Sequence, residues 1–174
     1  MKTMSKYVGA LLGIMSFGAS AVSSGMLDFS AKITSATCSV DVNGLTHATV
    51  DLPNISTSSL TAKGMTAGAT SFVINVTQCA DVADGALSVV VSKDKAVSGP
   101  EIAATGSATN VAFGIRKGNQ PQLFNDPAGS QTYPITLSAG KGSVQDLAVY
   151  YLATATPVSP GTLSAVMTVT LKYN

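Results

Sequence analysis

Two cysteines and one histidine are the side chains of this sequence with the most distinctive chemistry. Cys38 and Cys79 are the only cysteines, and His47 is the only histidine. A structural zinc site takes four ligands, which is more than these three residues supply. An even number of cysteines in an exported chain favours a disulfide, and closing this loop is worth roughly 4 kcal/mol in the chain-entropy model. We therefore predict a Cys38–Cys79 disulfide, with two free buried thiols as the alternative.

The remaining polar residues form no recognisable catalytic or metal-binding pattern. His47 has no serine, cysteine or carboxylate neighbour at a meaningful spacing, and we expect it to face solvent. The acidic residues are scattered singly, whereas a calcium loop needs several oxygen ligands close together. The glycine-rich segment 140–142 precedes a strand pattern and lacks the spacing of a phosphate loop. We predict no catalytic residue, no metal, no cofactor and no enzymatic activity.

Length and charge restrict the class of protein further. A chain of 174 residues is long enough for one domain with a substantial core. Its formal net charge is +1 and only 11% of its residues are charged, while nucleic-acid-binding proteins normally carry a strongly basic face. We therefore predict no nucleic-acid partner. Low charge combined with many serines and threonines is typical of an exported β-rich protein.

The first 21 residues have the pattern of a secretory signal peptide. Lys2 and Lys6 precede an apolar run over residues 8–19, and Ala19-Ser20-Ala21 provides small residues for cleavage. A transmembrane anchor is the alternative, but it needs about 20 apolar residues, and neither this run nor any later one is that long. We predict cleavage after Ala21, export, and no stable membrane insertion.

The rest of the chain alternates apolar and polar residues with a period of two, which is typical of half-buried strands. Strands are predicted at residues 27–33, 46–52, 71–77, 86–92, 111–117, 133–138, 146–154 and 163–173; among them, 86–92 is a short apolar run and 146–154 is strongly apolar, as a central strand is. Pro53 is expected to end the second of them, because proline cannot donate to a strand ladder. A turn or two of helix is expected within residues 57–63. This many short strands predict an all-β Greek-key sandwich.

The segment directly after the predicted cleavage site allows two interpretations. Leu27, Phe29, Ala31 and Ile33 alternate with polar residues, but no turn connects this segment to a preceding strand. It is either an ordinary first edge strand or a strand offered to another molecule. The pattern alone leaves both open.

Four segments, in this order along the chain, resemble the type 1 fimbrial subunit (pilin) family of the chaperone–usher pathway. They are the alternating segment from Gly25 to Ile33 leading to Cys38, the segment 72–76 leading to Cys79, the segment 106–111 (GSATNV), and a C-terminal end with Gly161 and a penultimate Tyr173. Each motif is weak by itself. The ordered set covers essentially all of residues 22–174.

The resemblance implies an incomplete immunoglobulin-like Greek-key sandwich that lacks its last strand and is completed by a donor strand from a partner. Residues 22–35 would form the N-terminal donor-strand extension and residues 36–174 the pilin domain. The donor-strand residues would be Gly25, Leu27, Phe29, Ala31 and Ile33. Within this set, Gly25 takes the position where the family uses a small residue to let the floor of the acceptor approach.

The resemblance also implies where the donor strand binds and which partners are involved. The chaperone and acceptor-groove strand would contain Gly161, Met167, Val169, Leu171, Tyr173 and Asn174. A periplasmic chaperone would lend a strand to this groove and deliver the subunit to an outer-membrane usher, after which the next pilin subunit would replace that strand. Pairing of this kind is β-augmentation, and head-to-tail contacts that do not close build a filament.

The implied function is that of a structural subunit of a bacterial surface fimbria that supports cell adhesion. Two alternatives stay open. The extension before Cys38 is shorter than expected for a main shaft subunit, which leaves a minor or adaptor pilin possible. The same sandwich could also be a surface adhesin that binds a host ligand directly, although the absence of tryptophan favours the structural role.

Overall fold

A computed structural model describes residues 22–32, 38–80, 82, 86–93, 99–124 and 129–173. These residues form strands joined by turns, and one short 3-10 helix at Thr57–Ser59. The strands are β1 Val22–Lys32, β2 Ser39–Val42, β3 His47–Ser56, β4 Thr66–Thr77, β5 Leu87–Lys93, β6 Thr105–Gly106, β7 Val111–Lys117, β8 Gln120–Pro121, β9 Ser130–Ile135, β10 Gly142–Ala153 and β11 Thr162–Tyr173.

The strands build two sheets that face each other across one apolar core. Sheet A has the order β3-β1-β11-β5-β9, with β6 also paired to β11, and sheet B has the order β2-β4-β10-β7-β8. The alternating apolar residues of each strand point into the space between the sheets, as Ile74 of β4 and Val89 of β5 do. The predicted all-β, immunoglobulin-like sandwich is therefore confirmed.

Pro53 does not end its strand, contrary to the sequence prediction. β3 continues through Pro53 to Ser56. It can do so because β3 is the outermost strand of sheet A, where the missing N–H of proline interrupts no second ladder. Pro121 and Pro134 lie in β8 and β9, which are also edge strands. The expected helical turn is present but short, and the Ser56 hydroxyl caps it by accepting a hydrogen bond from the Ser58 N–H.

The N-terminal segment lies in the interior of its own sheet. β1 runs parallel to β11, with Ser24 opposite Thr162 and Lys32 opposite Thr170. On its other side β1 runs antiparallel to β3. The expected open groove beside the C-terminal strand is therefore filled in the single chain, because the alternating apolar face of β1 and its backbone groups find partners on both sides.

Candidate functional site

The strand groove, defined as the space between β3 and β11 that β1 fills, is the candidate functional site. Its walls are the inward-facing residues of the two flanking strands, which are all buried: Ala48, Val50 and Leu52 on β3, and Leu163, Ala165, Met167 and Val169 on β11. Gly25, Leu27 and Phe29 point into the groove between them. The period-two pattern predicted that Leu27 and Phe29 share one buried face, and the inclusion of Gly25 came from the family resemblance.

Sheet B supplies the floor of the groove. Phe29 packs on Phe72 of β4, with ring centroids 4.9 Å apart. Leu27 is fully buried. At the other end, Gly25 lies over Tyr151 of β10 and Phe113 of β7. The centroids of these two rings are 5.6 Å apart. The floor therefore changes along the groove, from Phe72, which accepts the large Phe29 side chain, to the Phe113–Tyr151 pair, which leaves room for a glycine only.

Tyr151 is held between two glycines. A Cβ added to Gly25 would lie 2.6 Å from both the ring and the hydroxyl of Tyr151, and one added to Gly68 of β4 would lie 2.8 Å from the opposite ring edge. The Tyr151 hydroxyl is buried and makes no hydrogen bond among the described residues. Burial raises the pKa of Tyr151 to about 12.

The outer face of β1 makes weaker contacts than the inner one. Met26 is 41% exposed. The Thr49 hydroxyl of β3 donates a hydrogen bond of 2.9 Å to the Asp28 carboxylate, and the Ser30 and Thr168 hydroxyls lie 3.4 Å apart. This face is polar and partly hydrated, so β1 is held mainly by its backbone pairing and its buried face.

The segment 106–110 fixes the beginning of β11, a role that the sequence motif did not reveal. The Ser107 and Ala108 N–H groups donate to the Thr162 carbonyl at 3.0 and 3.2 Å, and the Thr162 N–H donates to the Ser107 hydroxyl at 3.0 Å. A Cβ at Gly161 would overlap the Ala108 backbone nitrogen. Asn110 secures the preceding loop by donating to the Pro157 carbonyl at 2.7 Å. These hydrogen bonds therefore hold the first residues of β11, the strand that forms one wall of the groove, in place.

The other predicted site residues lie as follows. Cys38 and Cys79 form the predicted disulfide, which joins the start of β2 to the segment after β4. Leu171 is half-buried and Tyr173 is 39% exposed at the end of β11. Ala31 pairs with Val169 in β1, while Ile33 and Asn174 lie outside the described residues. The donor and acceptor roles of these residues stay predictions.

Sequence reasoning missed a buried cation at the end of β5. The Lys93 ammonium donates to the carbonyls of Gly99 and Glu101 at 3.1 and 2.6 Å and lies 4.9 Å from the centre of the Phe124 ring. Burial lowers the pKa of Lys93, and the Glu101 carboxylate opposes that effect. The sequence offered no signal for this, because Lys93 stands in a charged cluster that is typical of a solvated turn. Its contacts join two loops to sheet A.

His47 and the acidic side chains of the described residues lie outside the groove or on its exposed face. His47 is exposed, as expected. Within the described ranges, no group of three or more histidine, cysteine, aspartate or glutamate side chains is placed to hold a metal ion. In the same part of the chain, no helix is long and apolar enough to cross a membrane. The strand groove is the feature whose geometry bears on function.

Comparison with known proteins places the chain in a family. Among curated proteins, it is 29% identical over 160 residues to the major fimbrial subunit SMF-1 of Stenotrophomonas maltophilia (strain K279a), covering 86% of this chain and 92% of that one. Among solved structures, it is similar to the CupB6 tip adhesin from Pseudomonas aeruginosa, with a TM-score of 0.49, 12% identity, and coverage of 65% of this chain and 36% of that longer one. The family described as "Fimbrial protein" matches residues 27–174. Since this match spans most of the sequence, the chain belongs to the fimbrial protein family, whose members are the subunits of bacterial surface fimbriae.

Proposed function

We propose that this fimbrial subunit polymerises by strand exchange, with residues 22–35 as the donor-strand extension and residues 36–174 as the pilin domain. The observation that carries the proposal is that β1, the first described strand, fills a central position of sheet A. After the predicted cleavage at Ala21 it would be attached to the rest of the fold at one end only. An equivalent strand from a neighbouring subunit offers the same side chains and the same backbone groups. Each subunit would then give its extension to one neighbour and receive one from another.

The covalent connection allows the chain's own extension to enter its groove in one direction only. Gly25 lies near Gly68, Phe29 near Phe72, and Thr77 pairs with Ser39, so Cys38 lies at the same end of the groove as Lys32. Six Cα–Cα steps join Lys32 to Cys38 and span at most about 22 Å. Reversing the strand would move Lys32 to the far end of a groove about 26 Å long, which this connection cannot reach.

A neighbour's extension is free of that restriction, and its direction decides what is built. If it enters in the same direction, the donor subunit lies at the end of the acceptor from which the acceptor's own extension leaves. The two subunits can then exchange reciprocally and close as a pair. If it enters in the reversed direction, the donor lies at the opposite end, and the contact is head-to-tail and open, as a filament requires. We therefore propose the reversed direction for the fibre.

The reversed direction has a natural register. With Gly25 of the donor opposite Leu171 of the acceptor, the inward positions of the two strands coincide throughout. The donor residues Gly25, Leu27, Phe29, Ala31 and Ile33 then face, in order, Leu171, Val169, Met167, Ala165 and Leu163 of the acceptor strand. This register uses all five residues that the sequence resemblance assigned to the donor strand.

The remaining parts of the proposal concern export and place in the fibre. Because the single chain fills its own groove, a free groove requires a factor that holds it open before assembly. A periplasmic chaperone that lends a strand and an outer-membrane usher would supply this, with the chaperone gripping the end near Tyr173 and Asn174. The curated relative is a major subunit, which supports a place in the fimbrial shaft, exported through the periplasm to the cell surface.

Engineered cysteine pairs test the proposal. Met26→Cys with Ser164→Cys joins residues that pair within one chain, while Met26→Cys with Thr170→Cys joins the residues predicted to pair between subunits in the reversed register. Purified fimbriae should give ladders of linked subunits on non-reducing gels only with the second pair. Linkage by the first pair alone, within fimbriae, would exclude the reversed direction. Fibres that assemble normally without residues 22–32 would exclude strand exchange altogether.

A further inference from the structure

We propose that Gly25 and Tyr151 form a closure latch, a contact that fits only when a subunit occupies its own groove and that regulates how readily the groove becomes available for assembly. This inference rests on the proposed strand exchange and concerns its regulation. It assigns Gly25 a role in the closed subunit, in addition to any role in a donated strand.

The steric fit at the latch admits glycine alone. The Tyr151 ring is fixed between Gly25 on one side and Gly68 on the other, and Phe113 closes the space further, 2.9 Å from where a Cβ on residue 25 would lie. Real Cβ atoms do not approach neighbouring heavy atoms this closely, so an alanine at position 25 requires the ring to move. The register in which β1 fills its own groove therefore depends on a glycine opposite Leu163.

A strand in the reversed direction cannot reproduce this fit. In the register proposed above, Ile33 of the donor lies opposite Leu163, and a shift by two residues places Ala31 there. Both residues carry a Cβ at the point where the closed subunit has none. The Tyr151 ring must therefore leave its position when such a strand binds, so the Gly25–Tyr151 contact belongs to the closed subunit alone.

The Tyr151 hydroxyl acts in the opposite sense to the steric fit. It is buried without a hydrogen-bond partner among the described residues, and a buried hydroxyl without a partner destabilises the state that contains it. Beside the ring lies a narrow apolar void of about 10 Å³, bordered by Ile55, Leu60 and Leu163. The void leaves space beside the ring, but these neighbours are apolar, so the hydroxyl stays unpaired while β1 fills the groove. The closure latch thus combines a close steric fit, which favours the closed subunit, with an unpaired Tyr151 hydroxyl, which favours opening.

Two substitutions with opposite expected effects test the latch. The assay follows a fluorescent peptide of residues 22–33 as it enters the groove of the purified chain 22–174 and displaces β1. Gly25→Ala in the chain should accelerate uptake about tenfold or more, because it crowds Tyr151 in the closed state. Tyr151→Phe should slow uptake about tenfold, because it keeps the ring and removes the unpaired hydroxyl.

Two control variants separate the latch from a general loss of stability. Met26→Ala changes a neighbouring β1 residue on the outer face and should leave uptake within twofold of the wild type. Ile135→Val weakens the core at β9, away from the groove, and should lower the melting temperature without a comparable gain in uptake. Gly25→Ala that leaves uptake unchanged or slower, or Tyr151→Phe that leaves it unchanged or faster, would overturn the latch.

Failure of strand exchange itself gives a different result. If the wild-type chain takes up no peptide under any condition, the proposed function fails, and the latch is then judged by hydrogen exchange of the β1 amides. Gly25→Ala should still shorten the protection of these amides and Tyr151→Phe should still lengthen it. Equal protection in all three proteins would refute the latch independently of polymerisation.

Discussion

The central strands of the two sheets, β1 and β10, differ in how they are held. Every residue of β10 from Leu147 to Ala153 is buried, so that both faces of this strand are covered, and chain continues from both of its ends. β1 is buried on one face only, with Met26 partly exposed on the other, and the predicted cleavage after Ala21 would leave it connected to the fold through Lys32 alone. Both strands pair on two sides. Pairing therefore does not distinguish a permanent strand from an exchangeable one, whereas covering and connection do.

This difference between β1 and β10 implies different roles for the two sheets. Sheet B, with the disulfide at the start of β2, is complete within one chain and serves as a constant floor. Sheet A contains the central strand that the proposed exchange would release, and one face of that strand is buried while the other is partly exposed. Local opening is favoured at regions with few buried contacts, and the partly exposed outer face of β1 has fewer of them than its buried inner face.

The largest effect is expected from removing residues 22–32. The inward residues of β3 and β11 would lose their cover, and Leu27 and Phe29 alone contribute about 2–3 kcal/mol each by burial, against a typical total stability of 5–15 kcal/mol. The truncated chain should be largely unfolded or aggregated by circular dichroism and size-exclusion chromatography. Adding a peptide of residues 22–33 should restore a cooperative thermal transition.

The same experiment on sheet B should fail, and this contrast sharpens the comparison. A chain that lacks residues 147–153 should not be rescued by a peptide with that sequence, because both faces of β10 are needed to form the core and its two flanking connections are cut. Rescue of both deletions to the same extent would show that β1 is no more replaceable by a peptide than β10 is. Rescue of neither would place β1 among the permanent strands.

The next effect separates local from global loss of stability. Phe29→Ala removes the ring that packs on Phe72, while Leu147→Ala removes a fully buried side chain of β10. Each change should lower the free energy of unfolding by about 2–5 kcal/mol. In hydrogen exchange followed by mass spectrometry, Phe29→Ala should increase exchange in β1 without affecting β10, whereas Leu147→Ala should increase exchange in both. Equal effects on both strands from Phe29→Ala would contradict independent opening of β1.

Much of this arrangement follows from sequence patterns, and the exceptions have physical causes. The predicted segments 111–117 and 163–173 lie within one residue of β7 and β11. Residues 163–173 alternate over most of their length, and residues 111–117 form a mainly apolar run that ends in Arg116 and Lys117. The first part of β4, residues 66–70, was missed because its small residues carry no alternation. The continuation of β3 past Pro53 was missed because a sequence does not identify an edge strand. In both cases the strand is defined by its pairing with a distant segment, β10 for residues 66–70 and β1 for the end of β3.

The candidate site shows the same limit. Alternation identified Leu27 and Phe29 as inward residues of β1, and the family resemblance identified Gly25. Neither could indicate whose groove they enter, since a strand ladder is the same within a chain and between chains. The close contact between Gly25 and Tyr151 could not be predicted from the sequence for a related reason. These residues are distant in sequence, and their contact depends on the register of β1 against β11.

A smaller effect is expected from alkaline pH. Burial raises the pKa of Tyr133, of Tyr150, where Arg116 partly opposes it, and of Tyr151 to about 12. A tyrosine whose pKa is higher in the folded than in the unfolded chain contributes stability below pH 10 that is lost as the pH rises toward the folded-state value. The melting temperature should therefore fall between about pH 10 and pH 12. Tyr151→Phe should reduce this fall, and a pH dependence identical to that of the wild type would contradict burial of the Tyr151 hydroxyl in solution.

The smallest effect is expected on the outer face of β1, and it limits how far the comparison with β10 extends. The hydrogen bond from Thr49 to Asp28 joins β3 to β1 across an exposed surface. Cross-strand pairs of this kind contribute about 0.2–1 kcal/mol, because water replaces the bond when it is lost. Thr49→Val should therefore change the free energy of unfolding by no more than this amount, with β1 exchange within twofold of the wild type. A large effect would mean that polar contacts on the outer face hold β1 in place, and its release would then depend on ionic strength rather than on the fit of Gly25, Leu27 and Phe29 in the groove.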